Sequence, residues 1–198
     1  MGQGAAIDQK WLPATVAAPG LSEAEFIALC KQHPDFTVEY NAADGTVIFM
    51  PPTDPENGER SALVVLQLGI WARNQGRGAF LGPDAGFRLP NGSRRSPDAA
   101  WYDRARWAKA KKSGERYPVF APEFVIEVRS PDDRLVVLRK KMEEYIANGV
   151  RLGWLIDPKT RSVAIYRAGR SPEVLSNPVT VAGEGPVKGF VLSMDGIL

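Results

Sequence analysis

Two acidic residues of this chain lie in apolar, strand-like runs where an ionised group is costly. The first run is Ser96-Pro97-Asp98-Ala99-Ala100-Trp101, and the second is Pro122-Glu123-Phe124-Val125-Ile126-Glu127-Val128-Arg129. A carboxylate beside a hydrophobic core needs a cation to offset its lost hydration, and two carboxylates on neighbouring strands raise each other's pKa. A divalent cation shared by Asp98 and Glu127 removes both difficulties. A third charged group follows in the helix-patterned run Leu138-Arg139-Lys140-Lys141-Met142-Glu143-Glu144-Tyr145.

Composition narrows the metal. The chain has one histidine, His33, and one cysteine, Cys30, which excludes a zinc site rich in His or Cys. Oxygen ligands are left, and these suit Mg²⁺ or Mn²⁺. A single cysteine forms no intrachain disulfide and fits a reducing compartment. Cys30-Lys31-Gln32-His33-Pro34 reads as the end of a first helix, so packing is the better account of Cys30 and His33 than a nucleophilic dyad.

The elements that must position these groups can be read from periodicity. Ser22 and Glu25 form a capping box for a helix over Glu23 to Lys31. Phe36–Tyr40 and Thr46–Met50 flank Asn41-Ala42-Ala43-Asp44-Gly45 as a hairpin. Asp54-Pro55 opens a longer helix with an apolar stripe of Leu63, Leu66, Ile70 and Trp71, which Gly76 ends. The Asp98 and Glu127 strands come next, then a helix from about Arg134 to Asn148 and a buried strand at Leu152-Gly153-Trp154-Leu155-Ile156. This order is mixed α/β, with a strand–helix–strand unit at 122–157 that should be right-handed.

Alternation puts Asp98, Ala100 and Tyr102 on one face of the first strand. In the second, Glu123, Val125, Glu127 and Arg129 share a face, and Phe124, Ile126 and Val128 share the other. In the following helix Leu138, Met142, Tyr145 and Ile146 form the buried stripe. Lys141 falls on its edge beside Tyr145, and Lys140 points to solvent.

These residues resemble the PD-(D/E)XK nuclease superfamily, and most closely its Uma-type restriction endonuclease branch. The phrases that carry the resemblance are Leu89-Pro90-Asn91-Gly92-Ser93, Ser96-Pro97-Asp98-Ala99-Ala100, Glu127-Val128-Arg129-Ser130-Pro131, Lys141-Met142-Glu143-Glu144-Tyr145, Asn148-Gly149-Val150 and Trp154-Leu155-Ile156-Asp157-Pro158. It runs from about Phe36 to Tyr166. It implies a restriction-endonuclease-like α+β fold, with a central mixed sheet flanked by helices, and a Mg²⁺-dependent (or Mn²⁺-dependent) endonuclease acting on DNA. Asp98, Glu127 and the backbone carbonyl of Val128 would hold the metal, and Lys141 would orient water or stabilise the developing charge. The general motif wants Lys two residues after the acid, where this chain has Arg129. Arginine keeps its proton and cannot act as a base; the resemblance to this branch implies that the motif lysine has moved to the following helix, here Lys141, and Arg129 is left to contact phosphate or to pair with Glu127.

Further candidates are Glu56, in the first turn of the long helix, as an added metal ligand, and Glu39 and Tyr145 as additional site residues. Arg94 and Arg95, with Arg104, Arg106, Lys109, Lys111 and Lys112, could track a phosphate backbone. A second reading keeps the fold and drops the chemistry: a catalytically degenerate module that binds nucleic acid or a partner.

The remaining features bound the answer. The 198 residues suit one domain, read as a loose arm over 1–20 and a nuclease domain over 21–198 with its core at about 36–167. A formal net charge of +2 excludes a strongly basic coat protein but permits a local basic patch. There is no Walker A loop, dinucleotide fingerprint or Gly-x-Ser-x-Gly elbow. No apolar run is long enough to span a bilayer and no signal peptide is evident, so a cytoplasmic location is expected. The tail segment Gly189-Phe190-Val191-Leu192-Ser193-Met194, with Ile197 and Leu198, has little strand or helix pattern to bury it. It is the candidate surface for a homodimer.

Overall fold

The computed structural model describes residues 14–198. Local signals in the sequence set most element ends. Helix α1 (Glu23–Gln32) starts on the Ser22–Glu25 capping box, with both reciprocal bonds made. Strands β2 (Thr37–Asn41) and β3 (Thr46–Met50) form the expected hairpin. Helix α2 (Pro55–Gln75) is capped by the Asp54 side chain and ends at Gly76 with φ 70°, a left-handed position that suits glycine. The segment read as a loose arm enters the fold as β1 (Ala14–Ala17), paired antiparallel with β3; residues 1–13 lie outside the described ones.

The phase of α2 matches the expected stripe at Leu63 and Trp71, which pack half-buried on the core, and differs from it at Leu66 and Ile70. Its buried face is Asn57, Ser61, Val64, Leu68, Gly69 and Ala72, while Leu66 and Ile70 are each 57% exposed. Close approach explains the choice of face. A Cβ on Gly69 would meet the Phe80 ring at 2.8 Å, so the helix lies against the sheet on its small residues and turns two larger ones outward.

The central sheet has six strands in the order β11-β10-β9-β8-β7-β4. These are β4 (Gly78–Leu81), β7 (Ala99–Asp103), β8 (Phe124–Val128), β9 (Leu152–Asp157), β10 (Ser162–Arg167) and β11 (Glu173–Ser176). Only β8 and β9 run parallel, joined by helix α4 (Leu135–Ala147) as a parallel pair requires. The other neighbours are antiparallel, so the sheet is mixed. A smaller sheet of five strands, β1-β3-β2-β6-β5, adds β5 (Phe87–Arg88) and β6 (Arg94–Arg95) to the hairpin. Short helix α3 (Arg104–Ala110) follows β7.

The faces of the central sheet bury different partners. Phe124, Ile126, Val128, Trp154 and Ile156 pack on the α2 side, and Val125, Leu155 and Ala100 pack on the α4 side with Leu138, Met142 and Tyr145. The C-terminal segment is not a free surface. β12 (Thr180–Ala182) and β13 (Val191–Ser193) form a ribbon, and Phe190, Leu192, Met194 and Ile197 lie buried in the α2-side core. The homodimer surface expected there is therefore overturned. Burial on the chain's own sheet removes those apolar groups from water, with Phe190 stacked on Trp154.

Candidate active site

The site forms where the central sheet meets the smaller one. The antiparallel register sets Ala99 opposite Ile126, which brings Asp98, one residue ahead of β7, alongside Glu127 at the end of β8. The Arg129 amide bonds Ile156 on β9, so alternation turns the Val128 peptide groups toward β7. There the Val128 N–H donates to Asp98 Oδ2 at 2.7 Å. Glu127 shares the α4 face of β8 with Val125, so its carboxylate meets the helix.

Helix α4 supplies two donors to that carboxylate. Lys141 Nζ lies 3.0 Å from Glu127 Oε2, and the Tyr145 hydroxyl donates to Oε1 at 3.0 Å. Lys141 sits on the edge of the buried stripe and Lys140 is exposed, as the helical phase requires. The same ammonium lies 2.9 Å from Glu39 Oε1, on β2 of the smaller sheet. Glu39 also accepts the Ser96 N–H at 2.8 Å and the Arg95 guanidinium at 3.2 Å. Arg95 in turn binds Glu144 at 2.6 Å, which further accepts from the Ser93 hydroxyl and the Asn91 amide. Glu39, Arg95 and Glu127 are all buried.

Two carboxylates thus share one lysine whose charge also reaches Asp98, with Arg95 as a second cation for Glu39. Burial pushes Glu39 up, but Lys141 and Arg95 outweigh it and hold the group below its ordinary range. Burial pushes Asp98 up to about 6, against the Val128 amide that favours its charged form. Burial raises Glu127 too; Lys141 opposes this, and the charges of Asp98 and Glu39 add to it. Lys141 loses charge stability by burial, yet Glu127 and Glu39 hold it firmly protonated. Burial beside Glu127 keeps Tyr145 a phenol, hence a donor.

The donor set suits a hard divalent cation. Asp98 Oδ2 takes the Val128 amide, while Oδ1 has no hydrogen-bond donor among the described residues. Glu127 and the Val128 carbonyl add oxygen donors. Among the described residues no three His, Cys, Asp or Glu side chains converge as ligands, so water would complete the shell, as Mg²⁺ prefers.

Several expected residues stand elsewhere. Glu56 is exposed and pairs with Arg60 one helical turn on. It is not in the acid cluster, because its place on α2 faces solvent. Arg129 does not pair with Glu127. Its guanidinium binds Asp157 at 2.9 Å and the Asp133 carbonyl at 3.2 Å, a tie between β9 and the turn before α4. Arg94 and Arg95 are buried, 6% and 5% exposed, and so lie on no open basic track. Arg106 pairs with buried Glu123, while Lys109, Lys111 and Lys112 are exposed. Burial raises the Cys30 thiol and His33 packs edge-on to Phe49, so neither is prepared for nucleophilic work. Sequence reasoning missed the Glu144–Arg95–Glu39 chain. The only local hint was two ionisable residues at positions that strand pairing buries.

A mixed sheet with one parallel strand–helix–strand crossover and an acid pair at its β7–β8 seam is the architecture of a restriction-endonuclease-like nuclease. The Uma2 family model, described as "Putative restriction endonuclease", matches residues 23–195, and the chain belongs to that family. Among solved structures it is similar to the crystal structure of "a putative nuclease belonging to DUF820" from Anabaena variabilis ATCC 29413, at 21% identity and a TM-score of 0.68. The match covers 81% of this chain and 89% of that one, and establishes the shared fold. No curated protein matches the chain. Among the described residues no helix is long and apolar enough to cross a membrane.

Proposed function

We propose that the protein is a metal-dependent endonuclease that hydrolyses phosphodiester bonds in DNA. The observation that carries this reading is the convergence of Lys141 on Glu127 and Glu39 beside Asp98, from three separate elements. Asp98, Glu127 and the Val128 carbonyl would hold Mg²⁺ or Mn²⁺. Such an ion, when bound, polarises a phosphoryl oxygen and makes its own water more acidic.

The chain's own groups take the rest of the task. Lys141 presents a fixed positive charge where negative charge develops on the phosphoryl group. Its proton is held too tightly for it to be a general base. Glu39 and Arg95 fix the lysine from behind, and Tyr145 orients Glu127. The exposed Lys109, Lys111 and Lys112, which follow the far end of β7 from Asp98, would meet the phosphate backbone only away from the scissile bond. Each chain carries one such site, so a double-strand break calls for two chains or two visits. A homodimer would use a surface other than the buried C-terminal segment.

Incubation of the purified protein with supercoiled plasmid tests the reading. Nicking with Mg²⁺ or Mn²⁺ and none in EDTA is expected. Plasmid binding with no cleavage under either metal would instead favour a degenerate binding module.

A further inference from the structure

The two arginines of β6 point opposite ways. Arg95 joins Glu39 and Glu144, whereas Arg94, paired in register with Tyr40, faces α1 on the other side of the small sheet. Arg94 is 6% exposed, with its guanidinium 4.6 Å from the Phe26 ring centroid and 5.9 Å from that of Tyr117. Among the described residues none accepts a hydrogen bond from this guanidinium or forms an ion pair with it, and Nη1 is wholly shielded. A buried cation without an anionic partner is costly. Burial accordingly pulls Arg94 below its usual value, against the weaker pull of Glu23.

Arg94 lines an open cleft of about 370 Å³ together with Gly20, Ser22, Glu23 and Arg88. The cleft also receives the N-terminus of α1, a helix of ten residues. The capping box occupies the amides of Ser22 and Glu25, and the amides of Glu23 and Ala24 are left without an acceptor among the described residues, as the first turn of a helix leaves them. Glu23 is the one acid lining the cleft, and its carboxylate lies 3.2 Å from Arg88, whose Nη1 also meets Glu115 at 3.3 Å, rather than on Arg94.

We propose that this cleft binds a phosphate-class oxyanion, held by Arg94 and Arg88 at the N-terminus of α1. A buried guanidinium with no hydrogen-bond acceptor among the described residues, a second guanidinium at the rim that an oxyanion would share with Glu23 and Glu115, and first-turn amides without an acceptor among the described residues are the parts such a site uses. It lies on the opposite face of β2 and β6 from Glu39 and Arg95, so it is separate from the acid cluster and independent of the nuclease reading. The oxyanion could come from a nucleic-acid backbone or from free phosphate.

Thermal melts and calorimetry on the full chain in EDTA test it, with inorganic phosphate compared against chloride at equal ionic strength. Phosphate at about ten times its Kd should raise Tm by roughly 3 °C or more. Arg88→Gln should weaken binding at least about tenfold, the worth of one charge-assisted contact, and Arg94→Gln should abolish it. If Arg94→Gln does not fold, the Arg94 Nε–H resonance of the wild type should shift during a phosphate titration. Absence of a phosphate-specific rise, or an equal rise in Arg88→Gln, would overturn the site. A short duplex in EDTA then separates the sources. Competition between duplex and phosphate assigns the cleft to the backbone, and phosphate binding undisturbed by duplex assigns it to the free anion. Cleavage is absent from every arm, so a failure here leaves the nuclease reading untouched.

Discussion

The ammonium of Lys141 lies 2.9 Å from Glu39 Oε1, which ties helix α4 of the large sheet to strand β2 of the small one. The same Nζ is 2.9 Å from Glu127 Oε1. One buried cation thus sets the spacing of two carboxylates that would otherwise repel.

The first prediction follows from that geometry. Lys141→Ala should lower the cleavage rate by at least about 10²-fold, a usual loss for one preorganised donor. It should also cost stability of roughly 3 kcal/mol, since two buried carboxylates lose their shared partner. Lys140→Ala, exposed on the same turn, should change neither plasmid nicking nor the urea midpoint. Equal losses at the two positions would show that the inward lysine is not the functional one.

Glu127→Gln separates charge from shape. Burial already favours the neutral form of Glu127, and Lys141 keeps Glu39, so the variant should fold with a Tm close to that of the wild type. Nicking in Mg²⁺ should fall by at least about 10²-fold, because an amide is a poor ligand for a hard cation. A variant that nicks as fast as the wild type would remove Glu127 from the site.

The raised Asp98 pKa gives a stability signature without metal. Its carboxyl goes from an ordinary 3.8 to about 6 in the fold. The folded state therefore holds the proton that the unfolded chain has released, and this stabilisation is present below about pH 4 and lost as pH rises through about 6. Relative to Asp98→Asn, wild-type Tm in EDTA should fall across that window. Mg²⁺ or Mn²⁺ should reverse the fall above about pH 6, where the metal takes the place of the proton. A wild-type curve parallel to that of Asp98→Asn would contradict the assignment.

Arg129 should act on stability and not on DNA. Its guanidinium is engaged by Asp157 and the Asp133 carbonyl, so Arg129→Met leaves buried Asp157 with backbone donors but no cation and should cost about 3 kcal/mol. Duplex affinity in EDTA, and the slope of its salt dependence, should stay as in the wild type. A slope reduced by about one charge would return Arg129 to a phosphate contact.

The sequence by itself determined the local parts. Capping chemistry at Ser22–Glu25 and Asp54–Pro55 placed two helix starts, a five-residue linker placed the hairpin, and strand and helix periods aimed Glu127 and Lys141 at the same layer. These signals are carried by residues within a few positions of one another. Tertiary structure decided what depends on distant neighbours. Gly69 against Phe80 turned Leu66 and Ile70 outward, because close packing overrides an apolar count along one helix. The C-terminal run looked unpartnered until the α2-side core received Phe190 and Ile197. The pairing of β2 with β6 brought Glu39 to Arg95 and left Arg94 facing α1. Which charge meets which is a matter of three-dimensional register. Two adjacent arginines with the same intrinsic chemistry therefore end in opposite surroundings, one bonded to two carboxylates and one with no carboxylate in hydrogen-bond contact among the described residues.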